Sequence, residues 1–216
     1  MFLCKNSVEK MILLNKLRNS LQPTMLRLGT SFASTGLSAN FWTGVGLAIS
    51  IAAGIAYASA SFGLDSYYAA VSGGLLLLIS GFFDVVDGSV ARVTKKTSKK
   101  GAFLDSSFDK ISEVVIFAGI AFGNLAEPLW CLGALGMSLL VSYSRARAET
   151  LGVELKGIGI GERAERMLIL AIIGMLPLAS IQPGLSGMSW AVIMVLVVAG
   201  ITLAQRIVAT LRNLPI

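Results

Sequence analysis

No histidine occurs anywhere in the 216 residues, and that absence excludes a good deal of chemistry. Ser-His-Asp triads, HExxH zinc sites and histidine-based proton transfer all need an imidazole. Charge is scarce as well: Asp, Glu, Lys and Arg make up 14% of the chain, against about 25% in a soluble globular domain. Two cysteines, Cys4 and Cys131, are too few for a disulfide framework. Collagen-like and disordered chains are excluded by the missing Gly repeat and the low polarity. What abounds is apolar surface, with 55% hydrophobic residues and a mean hydropathy of +0.76. That composition describes an integral membrane protein.

Charge-free stretches mark the expected crossings, each needing about 20 mostly apolar residues. Phe41–Ala60, Tyr67–Phe83, Ala102–Gly123 and a segment starting with Leu129–Tyr143 supply four. Met167–Gln205 is uncharged over 39 residues and is broken near Pro177 and Gln182-Pro183-Gly184, which predicts two helices. The expectation is an all-α bundle of six spans over about 41–211. Before it, Val8, Met11, Ile12 and Leu14 alternate with Lys5, Lys10, Lys16 and Arg18, predicting an amphipathic surface helix over about 5–28. No signal-peptide pattern, internal repeat or dividing linker is found, so 1–216 reads as one domain.

Six spans place all 18 Lys and Arg residues on one side, whereas the opposite links carry only Asp65 and Glu127. Basic loops stay inside, so both termini and the basic loops are expected in the cytoplasm of a multi-pass cell-membrane protein. The net charge of +6 is then explained by this topology and by anionic lipid headgroups, with no nucleic-acid partner needed. Cys4 and Cys131 fall on opposite faces and should not pair.

Acidic residues at membrane helix ends are costly and mark function. Asp84 and Asp87, three apart, share a face at the end of the second span; Asp105 and Asp109, four apart, share a face at the start of the third. The short basic loop between them predicts antiparallel neighbouring helices with the two pairs facing each other. Four carboxylates so placed repel unless a cation sits among them. All-oxygen ligands select a hard divalent ion. Gly88 leaves room for a ligand against the backbone, and Arg92 is long enough to reach a phosphate.

The full pattern is Asp84-x2-Asp87-Gly88-x2-Ala91-Arg92-x8-Gly101-x3-Asp105-x3-Asp109. It resembles the signature of the CDP-alcohol phosphotransferase family at every fixed position. The resemblance implies transfer of a substituted phosphate from a CDP-linked donor to an acceptor hydroxyl, with release of CMP. It further implies that Asp84, Asp87, Asp105 and Asp109 bind divalent metal, two ions of Mg²⁺ or alternatively Mn²⁺, and that Asp109 doubles as general base. With no histidine, a carboxylate is also the base that the composition offers. The family often forms homodimers, and a homodimer is expected here.

Upstream, Asn40-Phe41-Trp42-Thr43 is similar to the Pro-Asn-x-x-Thr element that contributes to the CDP site in many members, with Ala39 in place of the Pro. Asn40 is equally suited to cap the first span. Gly88, Arg92 and a loop hydroxyl, Ser98 with Thr97 as the competitor, are expected to complete the nucleotide contacts. Toward the C-terminus, arginines arrive from three helices and can converge on a phosphate. This region is similar to the subfamily making phosphatidylinositol phosphate or archaetidylinositol phosphate. By motif position Arg145, Arg166 and Arg206 would hold the phosphate of inositol 1-phosphate, with Arg147 and Arg163 in reserve. Positive-inside anchoring is the competing explanation of each arginine.

The resemblance thus implies phospholipid biosynthesis from CDP-diacylglycerol or CDP-archaeol, the two tails being indistinguishable by the apolar residues that would meet them. Glycerol 3-phosphate, the acceptor of a phosphatidylglycerophosphate synthase, is the nearest alternative. A transporter would place its carboxylates near the bilayer midplane, often within inverted repeats, and neither is found.

Overall fold

The computed structural model describes residues 23–95, 97–155, 157–177 and 186–214, and among these every regular element is a helix. Helix α1 covers 23–33. It is followed by α2 (Ala39–Ala58), a 3₁₀ turn (Ser59–Phe62), α3 (Ser66–Thr94), α4 (Lys99–Phe122), α5 (Pro128–Thr150), α6 (Arg163–Gly174) and α7 (Gly187–Asn213). Most of the expected surface helix, Cys4, Lys96 and the Gln182-Pro183-Gly184 break lie outside the described residues. The chain is all-helical, as expected, and three segments are long and apolar enough to cross a membrane: Ala39–Phe62, Ser66–Thr94 and Gly187–Asn213. In α4 and α5 the charged ends lower the apolarity. The 12 residues of α6 rise only about 18 Å, well short of a hydrocarbon core of about 30 Å.

Helix starts are chemically marked. Ser38 caps α2, accepting from the Phe41 amide at 3.3 Å. Ser98 caps α4, accepting from Gly101 at 3.0 Å, and Asp65 caps α3, accepting from Tyr67 at 2.8 Å. Pro128 opens α5, where its missing N–H costs nothing. The sequence predicted a second span ending near Phe83. Instead α3 continues for three more turns to Thr94. Nothing in Val85–Thr94 breaks a helix, and at about 1.5 Å per residue the 29 residues outrun a bilayer core. Asp84, Asp87 and Gly88 therefore lie within one continuous helix, as the spacing of the two aspartates implies.

Packing departs from expectation at one point. Among the described residues, α3 and α4 make their close backbone contacts with α2 rather than with each other. Glycine explains the α2–α4 seam: a Cβ on Gly119 would fall 2.2 Å from the Gly54 carbonyl oxygen, so only bare backbones pass there. On the other side Ser50 and Ser80 share a buried hydrogen bond of 2.6 Å, and Ser80 donates to the Gly46 carbonyl at 3.0 Å. With α2 as a spine, α3 and α4 flank it, and a gap opens between them beside the α3–α4 loop. α5 packs on α7 and α4, while α6 packs on α7 and α3, closing the other side of that gap.

Candidate active site

Three of the four aspartates converge, and the fourth lies beside them. One carboxylate oxygen each from Asp84, Asp105 and Asp109 lies within 4.8 Å of the other two. At that separation each like-charged pair costs about 3 kcal/mol at an effective dielectric near 20. Asp87, one turn from Asp84, is 6% exposed, and its Oδ2 is buried without a hydrogen-bond partner among the described residues. A buried, unpartnered carboxylate oxygen beside three crowded carboxylates fits a divalent cation with hard oxygen ligands.

A guanidinium also reaches this centre. Arg163, at the start of α6, places Nη1 at 3.0 Å from Asp84 Oδ1 and 2.7 Å from Asp109 Oδ1. The neighbouring acids do not quench it, because Glu162 and Glu165 form a reciprocal capping box at the α6 N-terminus. Arg163 was only a reserve candidate by motif position.

Two cavities open on either side of the aspartates and share Asp105 and Ala102 in their walls. The smaller, about 170 Å³, is lined by Asn40, Thr43, Asp87, Gly88, Thr97 and Ser98. Because Ser38 caps α2, the Asn40 side chain is not needed as a cap; its Oδ1 lies 3.0 Å from where a Cβ on Gly101 would sit. A Cβ on Gly88 would meet nothing within 4 Å, so Gly88 faces open space. Arg92 is not in this wall. Its Nη2 donates back to Ser89 Oγ at 3.1 Å, and the side chain is exposed.

The larger cavity, about 830 Å³, runs from Asp84, Asp105 and Asp109 to Arg145, Arg163, Arg166 and Arg206. Its arginines are not alike. Arg145 is 43% exposed and pairs with Glu149 at 2.9 Å. Arg206 is 3% exposed and donates to the carbonyls of Ile158 (3.0 Å) and Val141 (2.8 Å), tying α7 to α5 and the loop before α6. Arg166 is 1% exposed and donates to the Gly161 carbonyl and to Glu113. Arg147 is exposed and lies outside the cavity wall. Glu113, fully buried on α4, was missed in the sequence. The signal was available, since it continues the Asp105–Asp109 spacing by four more residues.

A helical bundle that brings crowded carboxylates up against an arginine-walled cavity can hold a divalent ion and a phosphorylated ligand side by side, which is the chemistry of a metal-assisted phosphotransferase. Residues 36–211 match the CDP-alcohol phosphatidyltransferase family. The chain belongs to that family, and it is a membrane transferase of phospholipid biosynthesis. It is 35% identical over 204 residues to the archaetidylinositol phosphate synthase of Pyrococcus horikoshii, covering 94% of this chain and 98% of the relative. With the enzyme of that name from Methanothermobacter thermautotrophicus it shares 37% identity over 197 residues, 91% of this chain and 95% of the relative. Its fold is similar to a crystal structure of Mycobacterium tuberculosis phosphatidylinositol phosphate synthase with CDP-DAG bound (TM-score 0.69, 24% identity, 86% of this chain and 92% of that one). A second structure of that enzyme, in complex with manganese and citrate, gives a TM-score of 0.69 at 25% identity over 87% of this chain and 88% of that one.

Proposed function

We propose that the protein transfers the lipid phosphate of a CDP-linked lipid to a hydroxyl of inositol 1-phosphate and releases CMP. The observation that carries this reading is the position of the aspartates where a small pocket lined by Asn40, Thr43, Gly88 and Ser98 meets an arginine-walled cavity. The donor's cytidine diphosphate occupies the smaller pocket against Asn40, Thr43, Gly88 and Ser98, and Arg92 swings from Ser89 to the diphosphate. The lipid tail enters between helices. An anionic acceptor fits the larger cavity, with Arg145 the most available arginine and Arg166 and Arg206 offering only the donors not spent on protein groups.

Asp84, Asp87, Asp105 and Asp109 would hold Mg²⁺, two ions in number, with Mn²⁺ a competent substitute. Bound there, such ions neutralise the diphosphate and stabilise the charge that develops on the departing phosphate. Asp109 accepts the proton of the attacking hydroxyl, since no histidine is available. The attack is in line and direct, without a phosphorylated protein, which a search for labelled enzyme would contradict. The aspartates and the basic loops face the cytoplasm, six segments cross the membrane behind an amphipathic surface helix, one of them made by α6 together with the residues that follow it, and the enzyme works as a homodimer.

The test is CMP release from CDP-archaeol and from CDP-diacylglycerol with Mg²⁺, each offered inositol 1-phosphate or glycerol 3-phosphate. Release restricted to inositol 1-phosphate is expected. Similarity over almost the whole chain to relatives named archaetidylinositol phosphate synthase favours the archaeol donor. Glycerol 3-phosphate is the second reading, because arginines recognise any phosphate monoester; a preference for it overturns the acceptor assignment. Silence with both overturns the synthase reading.

A further inference from the structure

The reaction as described leaves a buried carboxylate without a task. Glu113 is 0% exposed, one turn beyond Asp109 on α4, in an interior where an uncompensated charge is strongly unfavourable. Its Oε1 lies 3.3 Å from Arg166 Nη2 and 3.8 Å from Arg163 Nε. The two arginines differ in freedom. Arg166 is 1% exposed and is pinned at its other end by the Gly161 carbonyl at 2.9 Å. Arg163 keeps 22% exposure, and among the described residues its Nη1 is held only by Asp84 and Asp109, two of the three carboxylates that crowd together. Its Nε, buried, makes no hydrogen bond among the described residues and has there only the longer approach to Glu113.

We infer that Arg163 is a built-in counter-cation that competes with the divalent metal for Asp84 and Asp109, and that Glu113 is the positioning residue that keeps it beside the site once it is displaced. Without metal, the guanidinium relieves the repulsion of the carboxylates. A bound divalent ion takes over that role and repels Arg163. The Nη contacts are then lost while the Glu113 contact at the Nε edge remains. So tethered, the freed Nη groups turn into the cavity that Arg163 already lines. Metal therefore loads before the acceptor, because loading supplies one of the acceptor's cations. This ordering rests on the anionic-acceptor reading above, whereas the competition does not.

The experiment is a Mn²⁺ titration of the detergent-solubilised protein followed by electron paramagnetic resonance, together with phenylglyoxal labelling of arginines read by mass spectrometry. Arg163→Gln is expected to bind Mn²⁺ about tenfold more tightly than wild type, as removing one nearby positive charge should. Arg163→Lys, which keeps the charge, stays nearer to wild type. Fixed-charge repulsion alone would give the same titration, so the labelling decides between them. In wild type, Mn²⁺ should raise modification of Arg163 several-fold and leave Arg166 unlabelled. Unchanged or weaker Mn²⁺ binding by Arg163→Gln overturns the competition, and so does Arg163 labelling that stays level or falls with Mn²⁺. Glu113→Asp retains the buried charge but withdraws it from Arg163; it should raise the acceptor KM several-fold with kcat kept, and an unchanged KM overturns the role of Glu113. Titration and labelling need no acceptor, so their failure is distinct from that of the synthase reading, which CMP release reports.

Discussion

The acidic and basic walls of the site are built by opposite strategies. On the acidic wall, four carboxylates stand on two helices at regular spacing, and all of them reach the centre or its nearest pocket. On the basic wall, the arginines come from three helices, and two of the four, Arg166 and Arg206, spend donors on holding the bundle together. Arg206 ties three chain segments through backbone carbonyls, and Arg166 neutralises Glu113 between helices. A carboxylate that is left unpaired invites a metal. An arginine inside a helical bundle can instead be satisfied by protein carbonyls and become structural. The same count of charged groups thus yields a site on one wall and in part a scaffold on the other.

Mutations can break that contrast, and the largest effect falls on the acidic wall. Asp109→Asn or Asp84→Asn should lower CMP release by about 10³-fold or more, combining lost metal binding with lost proton transfer. Size-exclusion profiles should remain those of wild type. A near-normal rate for Asp109→Asn would remove it as general base. Next comes the scaffold side: Arg166→Met removes the nearer cation from the buried Glu113 charge, leaving Arg163 Nε at 3.8 Å, and should cost about 3 kcal/mol, visible as a lower Tm in detergent. If Arg166→Met lost only acceptor affinity with an unchanged Tm, the division between walls would be wrong.

Smaller effects sharpen the picture. Gly88→Val fills open space in the nucleotide pocket, so the donor KM should rise about tenfold while thermal stability stays level. Arg145→Ala removes an exposed pair with Glu149 worth about 0.5 kcal/mol. Its Tm should barely move, whereas the inositol 1-phosphate KM should rise about tenfold; an unchanged KM would reduce Arg145 to a surface charge.

The acidic wall was legible in the sequence because helix periodicity alone decides which residues share a face. Asp84–Asp87 and Asp105–Asp109 needed only that geometry, and Asn40, Thr43, Gly88 and Ser98 duly meet in one pocket. The basic wall was not legible to that extent. Arg145, Arg166 and Arg206 do line one cavity, but Arg163 rather than any of them touches the aspartates. That outcome depends on how α6 enters the bundle, which the Glu162–Glu165 cap and the Glu113 partnership settle. Likewise, a short α3–α4 loop suggested direct packing, yet the glycine seam of α2 and α4 drew those helices elsewhere.

By itself, then, the sequence determined the apolar helical class, the family and the carboxylate set, because composition and short-range spacing carry them. Only the tertiary structure decided which arginine faces the aspartates, which ones brace the helices, and that Glu113 stands between the two groups. Those roles depend on contacts between residues about 50 to 80 positions apart, and no local period encodes the angle at which two distant helices meet.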